Sequence, residues 1–175
     1  MRVCVFCGSS FPYNEKFVEE AKKLGEKIGK SGNELVFGGS DCGIMKVIAE
    51  SAKKYDAKIT SVQLDIFNNE PGHTISYSDE LIVASSFQER KLEMLKISDI
   101  FVIFPGGIGT LDEFSDVLVT GKFYFENKKI ILLNIENYYD FLIKFLQKMM
   151  EEGFADETTL NRIQIVDSIG EITEF

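Results

Sequence analysis

The sequence feature that most constrains the fold is a regular alternation of two kinds of segment. Short runs rich in β-branched and aromatic residues alternate with longer amphipathic stretches along the whole chain. This alternation is typical of a parallel sheet covered by helices on both faces. The sequence therefore predicts an α/β protein with a doubly wound parallel sheet.

The expected elements follow directly from this alternation. Strands are predicted at residues 2–7, 34–37, 58–64, 100–104, 129–134 and 162–166, with a short additional strand at 82–84. Helices are predicted at residues 15–30, 43–55, 87–98, 111–122 and 138–152.

The length and the composition favour one compact domain. The chain has 175 residues, of which 45% are hydrophobic and 27% charged, so residues 1–175 suffice for one sizeable core. The first ten residues turn after a short apolar run, unlike a signal peptide or an anchor, and no apolar run approaches the ~20 residues that cross a bilayer. We therefore expect a cytosolic protein.

The acidic balance of the chain limits its partners. A formal net charge of −9 disfavours nucleic acid and anionic membranes, because both require a basic patch. The charge does not exclude a small anionic ligand. Such a ligand would have to be bound locally, for example by the backbone amides at a helix N-terminus.

The cysteines do not indicate a metal or redox site. Cys4 and Cys7 form a C-x-x-C motif within the first predicted strand. Side chains alternate along a strand, so residues three apart face opposite sides of the sheet and cannot share a metal or a disulfide. The chain has no second C-x-x-C motif or histidine pair to complete a zinc site, and we expect no metal.

Glycine-rich turns follow three of the predicted strands. They begin at Gly8, at Gly38 and at Pro105, and the last one reads PGGIGT. Ligands of open parallel sheets bind outside the carboxyl ends of the strands, so these turns are expected to surround a single cleft. Glycine lets a phosphate approach the backbone, and the free amides of the following helix act as donors.

Several enzyme classes are disfavoured by what these turns lack. None spells G-x-G-x-x-G, and no acidic residue follows the first strand at the distance that would grip a ribose, which disfavours a nicotinamide dehydrogenase. The Walker phosphate loop of kinases and ATPases is also absent from the sequence. Ser9, Ser10 and Ser40 have no histidine base, which disfavours a serine hydrolase.

The predicted helix at 87–98 carries a cation on its apolar face. A step of about 100° per residue places Arg90 on the same arc as Phe87 and Met94, with Lys91 close by. A cation that faces inward loses hydration unless it meets an anion or lines a wet cleft, so Arg90 is a candidate site residue. The alternatives are a structural arginine–carboxylate pair and a side chain that snorkels to the surface.

Glu113 is open to two interpretations. It lies three residues after Thr110, in the S/T-x-x-E spacing of a capping box, where a glutamate only satisfies amides at the helix start. Position alone favours that structural role. However, the Gly-Gly-x-Gly turn at 106–109 exposes more backbone than a cap requires, so we keep Glu113 as a candidate catalytic carboxylate.

The least regular stretch is the predicted loop at 65–79, which contains His73, the only histidine. A loop of this length in a compact domain either lines a site or is a plain surface excursion, and the sequence leaves both open. His73 is expected to be a surface residue.

Two segments of the chain carry a family resemblance. FQERK at 87–91 and PGGIGTLDE at 105–113 together resemble the paired "RK" and "PGGxGTxxE" signature of the LOG family. Its members are cytokinin riboside 5′-monophosphate phosphoribohydrolases, long mislabelled as lysine decarboxylases. The resemblance extends to VCVFCGSS at 3–10, LVFGG at 35–39 and LLNIENYYDFL at 132–142, and so spans most of the chain.

The resemblance implies a Rossmann-like homodimer without a cofactor that cleaves a nucleoside 5′-monophosphate, such as AMP, into a free base and ribose 5-phosphate. The signature arginine and glutamate correspond to Arg90 and Glu113, which would be the catalytic residues. The residues expected to contact the substrate are Gly8, Ser9, Gly39, Glu70, Lys91, Gly106, Gly107, Gly109, Thr110, Asp112 and Thr120.

The implied activity agrees with the chemistry of the two signature residues. Breaking an N-glycosidic bond gives the sugar oxocarbenium character, which a nearby carboxylate such as Glu113 stabilises. Glu113 could instead orient a ribose hydroxyl or the attacking water. Arg90 would position the ribose phosphate or bind the departing base.

Four departures from the family pattern bear on the substrate. Gln63 and Leu64 replace an Ile-Pro pair, Phe87-Gln88 replaces Met-His, Gly121 replaces a tryptophan, and Ser40 replaces a third glycine. Each change could reshape the pocket for the base, so the sequence leaves the preferred base open.

Three other functions compete with this prediction. The fold could carry a nucleotide or cofactor without turning it over, or the enzyme could hydrolyse a pyrimidine monophosphate. A decarboxylase is disfavoured because no lysine lies in a recognisable pyridoxal phosphate setting.

Overall fold

The computed structural model describes residues 1–67, 75–124 and 128–175. Within that part of the chain, strands alternate with helices as the sequence predicts. The strands are β1 (Arg2–Phe6), β2 (Glu34–Phe37), β3 (Ile59–Leu64), β4 (Glu80–Ala84), β5 (Ile100–Ile103), β6 (Lys129–Leu133) and β7 (Ile163–Val166). The helices are α1 (Glu15–Lys30), α2 (Gly43–Lys53), α3 (Phe87–Ile97), α4 (Ile108–Tyr124), α5 (Asp140–Glu151) and α6 (Glu157–Asn161). Short 3-10 turns lie at Asp65–Phe67, Ile135–Asn137 and Ile169–Glu171.

The strands form one parallel sheet in the order β4-β3-β2-β1-β5-β6-β7. The chain first builds outward from β1 to β4 and then returns to the other side of β1 with β5. The direction of winding therefore reverses between β1 and β5, where open α/β sheets bind their ligands. The prediction of a Rossmann-like doubly wound sheet is confirmed.

Two hydrophobic layers cover the two faces of the sheet. On one face, side chains of α1 and α2, such as Leu24 and Ile48, pack on alternate strand residues. On the other face, side chains of α3, α4 and α5, such as Met94 and Val117, pack on the remaining strand residues. Strand side chains point alternately to the two layers, which is why the central strands β1 and β5 are apolar on both faces.

The two cysteines of the C-x-x-C motif obey the same alternation. Cys4 is buried in the layer of α3 to α5, and Cys7 is buried in the layer of α1 and α2. The prediction that they face opposite sides of the sheet is confirmed.

Most predicted bounds agree with the structure within two or three residues. The short helix α6 was not predicted, because its five residues are too few to show a helical period. Helix α4 begins at Ile108, three residues before the predicted start, so it includes part of the glycine turn. In the described part of the chain, no helix is both long and apolar enough to cross a membrane.

Candidate active site

The three glycine turns meet at the carboxyl edge of the sheet and enclose one cleft. Its volume is about 680 Å³, which lies in the range of small-molecule sites. Residues of all three turns line it, including Gly8, Gly38 and Gly107. The predicted convergence of the turns on a single cleft is confirmed.

One end of the cleft is formed by the turn after β5 and the start of α4. A Cβ built on Gly106 would collide with Thr110 Oγ1 and lie 2.8 Å from the backbone nitrogen of Gly8, so the turn after β1 packs directly on Gly106. Gly107 and Gly109 line the cleft, and a Cβ on either would meet nothing within 4 Å. The first amides of α4 lack partners within the helix, so this end of the cleft suits an anion.

Arg90 forms part of the floor of the cleft. Its Nε donates to the backbone oxygen of Val62 at 2.9 Å, and its Nη1 donates to Glu113 Oε1 at 2.8 Å. A Cβ on Gly38 would collide with Arg90 Nη2, so the glycine leaves room for the guanidinium. The side chain is only 11% exposed, and its exposed part faces the cleft.

Glu113 lies beside Arg90 on the first turns of α4 and is also buried. Burial raises the pKa of this carboxyl above its ordinary value, and the guanidinium of Arg90 counteracts part of the rise. The capping-box interpretation is wrong, because α4 begins two residues before Thr110 and Glu113 pairs with Arg90.

The arrangement places a carboxylate, a guanidinium and an anion-binding turn around one small volume. Arg90 and Glu113 satisfy each other without a ligand, so both charges can stay in a partly dry cleft. An anion held at Gly107 and Gly109 would place the neighbouring part of a ligand against the carboxylate of Glu113. A carboxylate in that position can stabilise positive charge that develops on the ligand.

Lys91, Asp112 and Thr120 lie outside the cleft lining. Lys91 Nζ is 3.0 Å from Asp112 Oδ1 and 3.9 Å from Asp116 Oδ2, and Thr120 Oγ1 donates to Asp116 Oδ1 at 3.3 Å. These residues form a polar network between α3 and α4. Their predicted contacts with the substrate stay predictions.

The other predicted contact residues divide into three groups. Gly8, Ser9 and Thr110 line the cleft. Gly39 lies behind it with a φ of 79°, and its carbonyl accepts a 2.8 Å hydrogen bond from Gln63 Nε2. Glu70 lies outside the described residues, as does His73.

The cleft has an apolar wall that the sequence indicated only in part, through Leu64 and Phe87. It consists of Met45 on α2, Leu64 at the end of β3, Phe67 and Phe87. Their sequence signal is weak, because only position at a strand end or a helix start distinguishes them from core residues. Phe87 was expected to face inward, and it lines the cleft with 55% of its surface exposed.

The described residues do not suggest a metal centre or a covalent cofactor. They contain no group of three or more His, Cys, Asp or Glu side chains that could hold a metal. No lysine is found among the described residues that line the cleft.

The sequence is similar to a known protein family and to named plant proteins. A family model described as "Possible lysine decarboxylase" matches residues 45–174. The probable cytokinin riboside 5′-monophosphate phosphoribohydrolase LOGL9 of Oryza sativa subsp. japonica is 36% identical over 155 residues, which are 87% of this chain and 67% of that protein. The cytokinin riboside 5′-monophosphate phosphoribohydrolase LOG1 of Arabidopsis thaliana is 33% identical over 175 residues, 99% of this chain and 81% of that protein.

Solved structures share the fold. A molybdenum cofactor binding protein from Rippkaea orientalis superposes with a TM-score of 0.71 at 22% identity, covering 95% of this chain and 89% of that chain. The Moco carrier protein of Chlamydomonas reinhardtii superposes with a TM-score of 0.70 at 20% identity, covering 97% and 90%. The family itself follows from the sequence matches: the chain belongs to the LOG family, whose members named above are cytokinin riboside 5′-monophosphate phosphoribohydrolases.

Proposed function

We propose that this protein hydrolyses the N-glycosidic bond of a nucleoside 5′-monophosphate and releases a free base and ribose 5-phosphate. The observation that carries this proposal is the buried pair of Arg90 and Glu113 in the floor of a glycine-lined cleft. The names of the relatives support the same reaction.

The two ends of the cleft fit the two ends of such a substrate. The 5′-phosphate would bind the amides at Gly107 and Gly109, since the net charge of −9 offers no general attraction for an anion. The flat base would lie against the apolar wall of Met45, Leu64 and Phe87. The ribose would then lie between the two ends, next to Glu113.

The proposed reaction breaks the bond between the C1′ carbon of the ribose and the nitrogen of the base. The bonding electron pair leaves with the base, which takes up a proton, while a water oxygen bonds to C1′ and loses a proton. The ribose carries positive charge in between, and the ionised carboxylate of Glu113 stabilises it.

Arg90 has a positioning and an electrostatic role in this scheme. Its bonds to Val62 and Glu113 fix the guanidinium in one place. The positive charge also opposes the effect of burial on the pKa of Glu113, which keeps the carboxyl available in its ionised form. The same guanidinium faces the cleft and can donate to the phosphate or to the departing base.

The substrate is proposed to be AMP or a cytokinin riboside 5′-monophosphate. The relatives act on the latter, according to their names. The wall of Leu64, Phe67 and Phe87 offers apolar surface for a purine and for an apolar group attached to it.

The description of the family model suggests lysine decarboxylation, which the site does not support. That chemistry uses a lysine in a Schiff base with pyridoxal phosphate. Lys91, the lysine of the signature, is paired with Asp112 outside the cleft lining.

The test is an incubation of the protein with each common nucleoside monophosphate, purine and pyrimidine, with detection of free base and ribose 5-phosphate. We expect release from AMP and slower release from pyrimidine monophosphates. Faster turnover of a pyrimidine would reassign the base. Intact nucleotide that stays bound after long incubation would indicate a carrier instead.

The protein is proposed to act as a homodimer. One face of α4 exposes an apolar stripe of Ile108, Leu111, Val119 and Phe123, at spacings that lie on a single helix face. Exposed apolar stripes of this kind typically mark protein interfaces. A second copy of the chain is the occupant that the symmetry of most soluble assemblies favours.

A further inference from the structure

We propose that Tyr138 is a positioning residue that orients the phosphate-binding turn. This inference rests on the proposed function, because it assumes that the turn after β5 holds the 5′-phosphate. Tyr138 does not line the main cleft, and the sequence marked it only as part of the segment 132–142 that resembles the family.

The evidence begins with a hydrogen bond from outside the turn. The hydroxyl of Tyr138 donates to the backbone oxygen of Gly106 at 2.7 Å. Two aromatic neighbours hold the ring edge-on, Phe17 at 5.7 Å and Tyr139 at 4.9 Å between ring centroids. The hydroxyl therefore reaches the turn from a half-exposed side chain whose ring contacts Phe17 and Tyr139.

The backbone before Tyr138 supports a positioning role. Glu136 and Asn137 both have left-handed conformations, with φ of 55° and 58°. Asparagine adopts this conformation readily, but for a residue such as Glu136 it is uncommon and persists where the surrounding structure determines it. Here the two residues bring the chain round so that Tyr138 faces the turn.

The consequence for the cleft follows from the planarity of the peptide bond. In a trans peptide the C=O of one residue and the N–H of the next point in opposite directions. The bond to Tyr138 draws the Gly106 carbonyl away from the cleft, so the N–H of Gly107 is turned toward it. Gly107 lines the cleft, and its amide is therefore presented to a bound phosphate.

Tyr139 offers a matched comparison within the same segment. Its hydroxyl donates to the backbone oxygen of Phe104 at 2.9 Å. The residue after Phe104 is Pro105, which has no N–H. The hydroxyl also interacts with the N–H of Gly106, so Tyr139 contacts the same turn. Neither contact involves the peptide unit that carries the Gly107 amide.

The test compares Tyr138→Phe with Tyr139→Phe in the full-length protein. The dissociation constant of ribose 5-phosphate, and that of inorganic phosphate, is measured by calorimetry, and the Gly107 amide is followed by NMR. We expect Tyr138→Phe to weaken both ligands about threefold to tenfold, the effect of one lost hydrogen bond. We also expect it to raise KM for AMP with little change in kcat and to reduce the shift of the Gly107 amide.

Tyr139→Phe should lower the unfolding temperature and weaken both ligands clearly less than Tyr138→Phe does. Unchanged phosphate affinity in Tyr138→Phe, or an equal loss in both variants, would overturn the inference. If the wild type binds phosphate but does not release base from AMP, the proposed function fails and the binding comparison still decides the role of Tyr138. If the wild type binds neither ligand, both proposals fail.

Discussion

At the scale of single residues, the site depends on two side chains that the sequence marked for different reasons. Arg90 was a cation on an apolar helix face, and Glu113 resembled a helix cap. Only the fold shows that Arg90 and Glu113 pair at 2.8 Å, because the two residues lie on different helices, α3 and α4. A buried ion pair alone is weak evidence of a stabilising role. Its place in the cleft is the reason why we propose a chemical role for it.

The raised pKa of Glu113 leads to a prediction about pH. A raised pKa means that the carboxyl takes up a proton at a higher pH than an ordinary glutamate, whose value is 4.5. The protonated form cannot stabilise an oxocarbenium ion, so kcat/KM should fall as pH decreases through a midpoint above 4.5. The measurement is a pH profile of kcat/KM for AMP.

The phosphate of the substrate also titrates, at pH ~6, so the pH profile needs a control. Glu113→Gln has no carboxyl to titrate at this position, so the pH profile of its residual activity should show only the titration of the substrate phosphate. Identical profiles for the wild type and the variant would assign the acidic limb to the substrate and contradict the prediction.

At the scale of elements, the glycine turn that leads into α4 has one enclosed position and two open positions, and we propose that the open ones bind the phosphate. The sequence indicated all three glycines of PGGIG equally as phosphate contacts. In the structure, Gly106 is enclosed by Thr110 and Gly8, whereas Gly107 and Gly109 face open space. The difference depends partly on Gly8 in the turn after β1, which is distant in sequence and leaves no trace in the local pattern.

Two alanine substitutions test this division. Gly106→Ala should destabilise the protein by about 1–3 kcal/mol through overpacking. Gly109→Ala should keep or slightly raise the unfolding temperature, because alanine favours a helix, but its methyl group should raise KM for AMP about tenfold or more, ~1.4 kcal/mol. Thermal unfolding and steady-state kinetics of both variants provide the comparison. A stable Gly106→Ala or an unchanged KM for Gly109→Ala would contradict it.

The order of strands and helices was predictable because it depends on local periodicity. Strand β2 and helix α1 have the predicted bounds, and the first residue of α3 was also predicted. The predicted start of α4 was wrong because the local spacing fits a capping box at Thr110. The tertiary bond between Glu113 and Arg90 overrides that local preference.

At the scale of the whole molecule, the topology brings the site together. The turns after β1 and β5 meet because the winding of the sheet reverses there. The turn after β2 completes the lining of the cleft. This convergence could be predicted from the alternation of strands and helices. The apolar wall with Phe67 and the bond from Tyr138 could not, because they depend on how distant segments approach each other.

The exposed stripe on α4 predicts the assembly state. Val119→Glu combined with Phe123→Glu should convert a dimer into a monomer, because two charges would replace apolar contacts. The molar mass in solution, from light scattering after size exclusion, measures the effect. Phe154→Glu changes an even more exposed phenylalanine outside α4 and should leave the dimer intact. A monomeric wild type, or a double variant that stays dimeric, would argue against this interface.

The central claim is that Arg90 and Glu113 perform chemistry and are not only a structural pair. The most direct measurement is the rate at which free base leaves AMP in three proteins: the wild type, Glu113→Gln, and Arg90→Met combined with Glu113→Leu. The double variant replaces the ion pair by apolar side chains, a change that often preserves stability. Thermal unfolding confirms that each protein is folded.

We expect the wild type to release base and ribose 5-phosphate in equal amounts. Both variants should be slower by about 10²- to 10⁴-fold, although the double variant is as stable as the wild type. Base release by the double variant at a rate near that of the wild type would contradict the account, as would a wild type that releases no base from any nucleoside monophosphate.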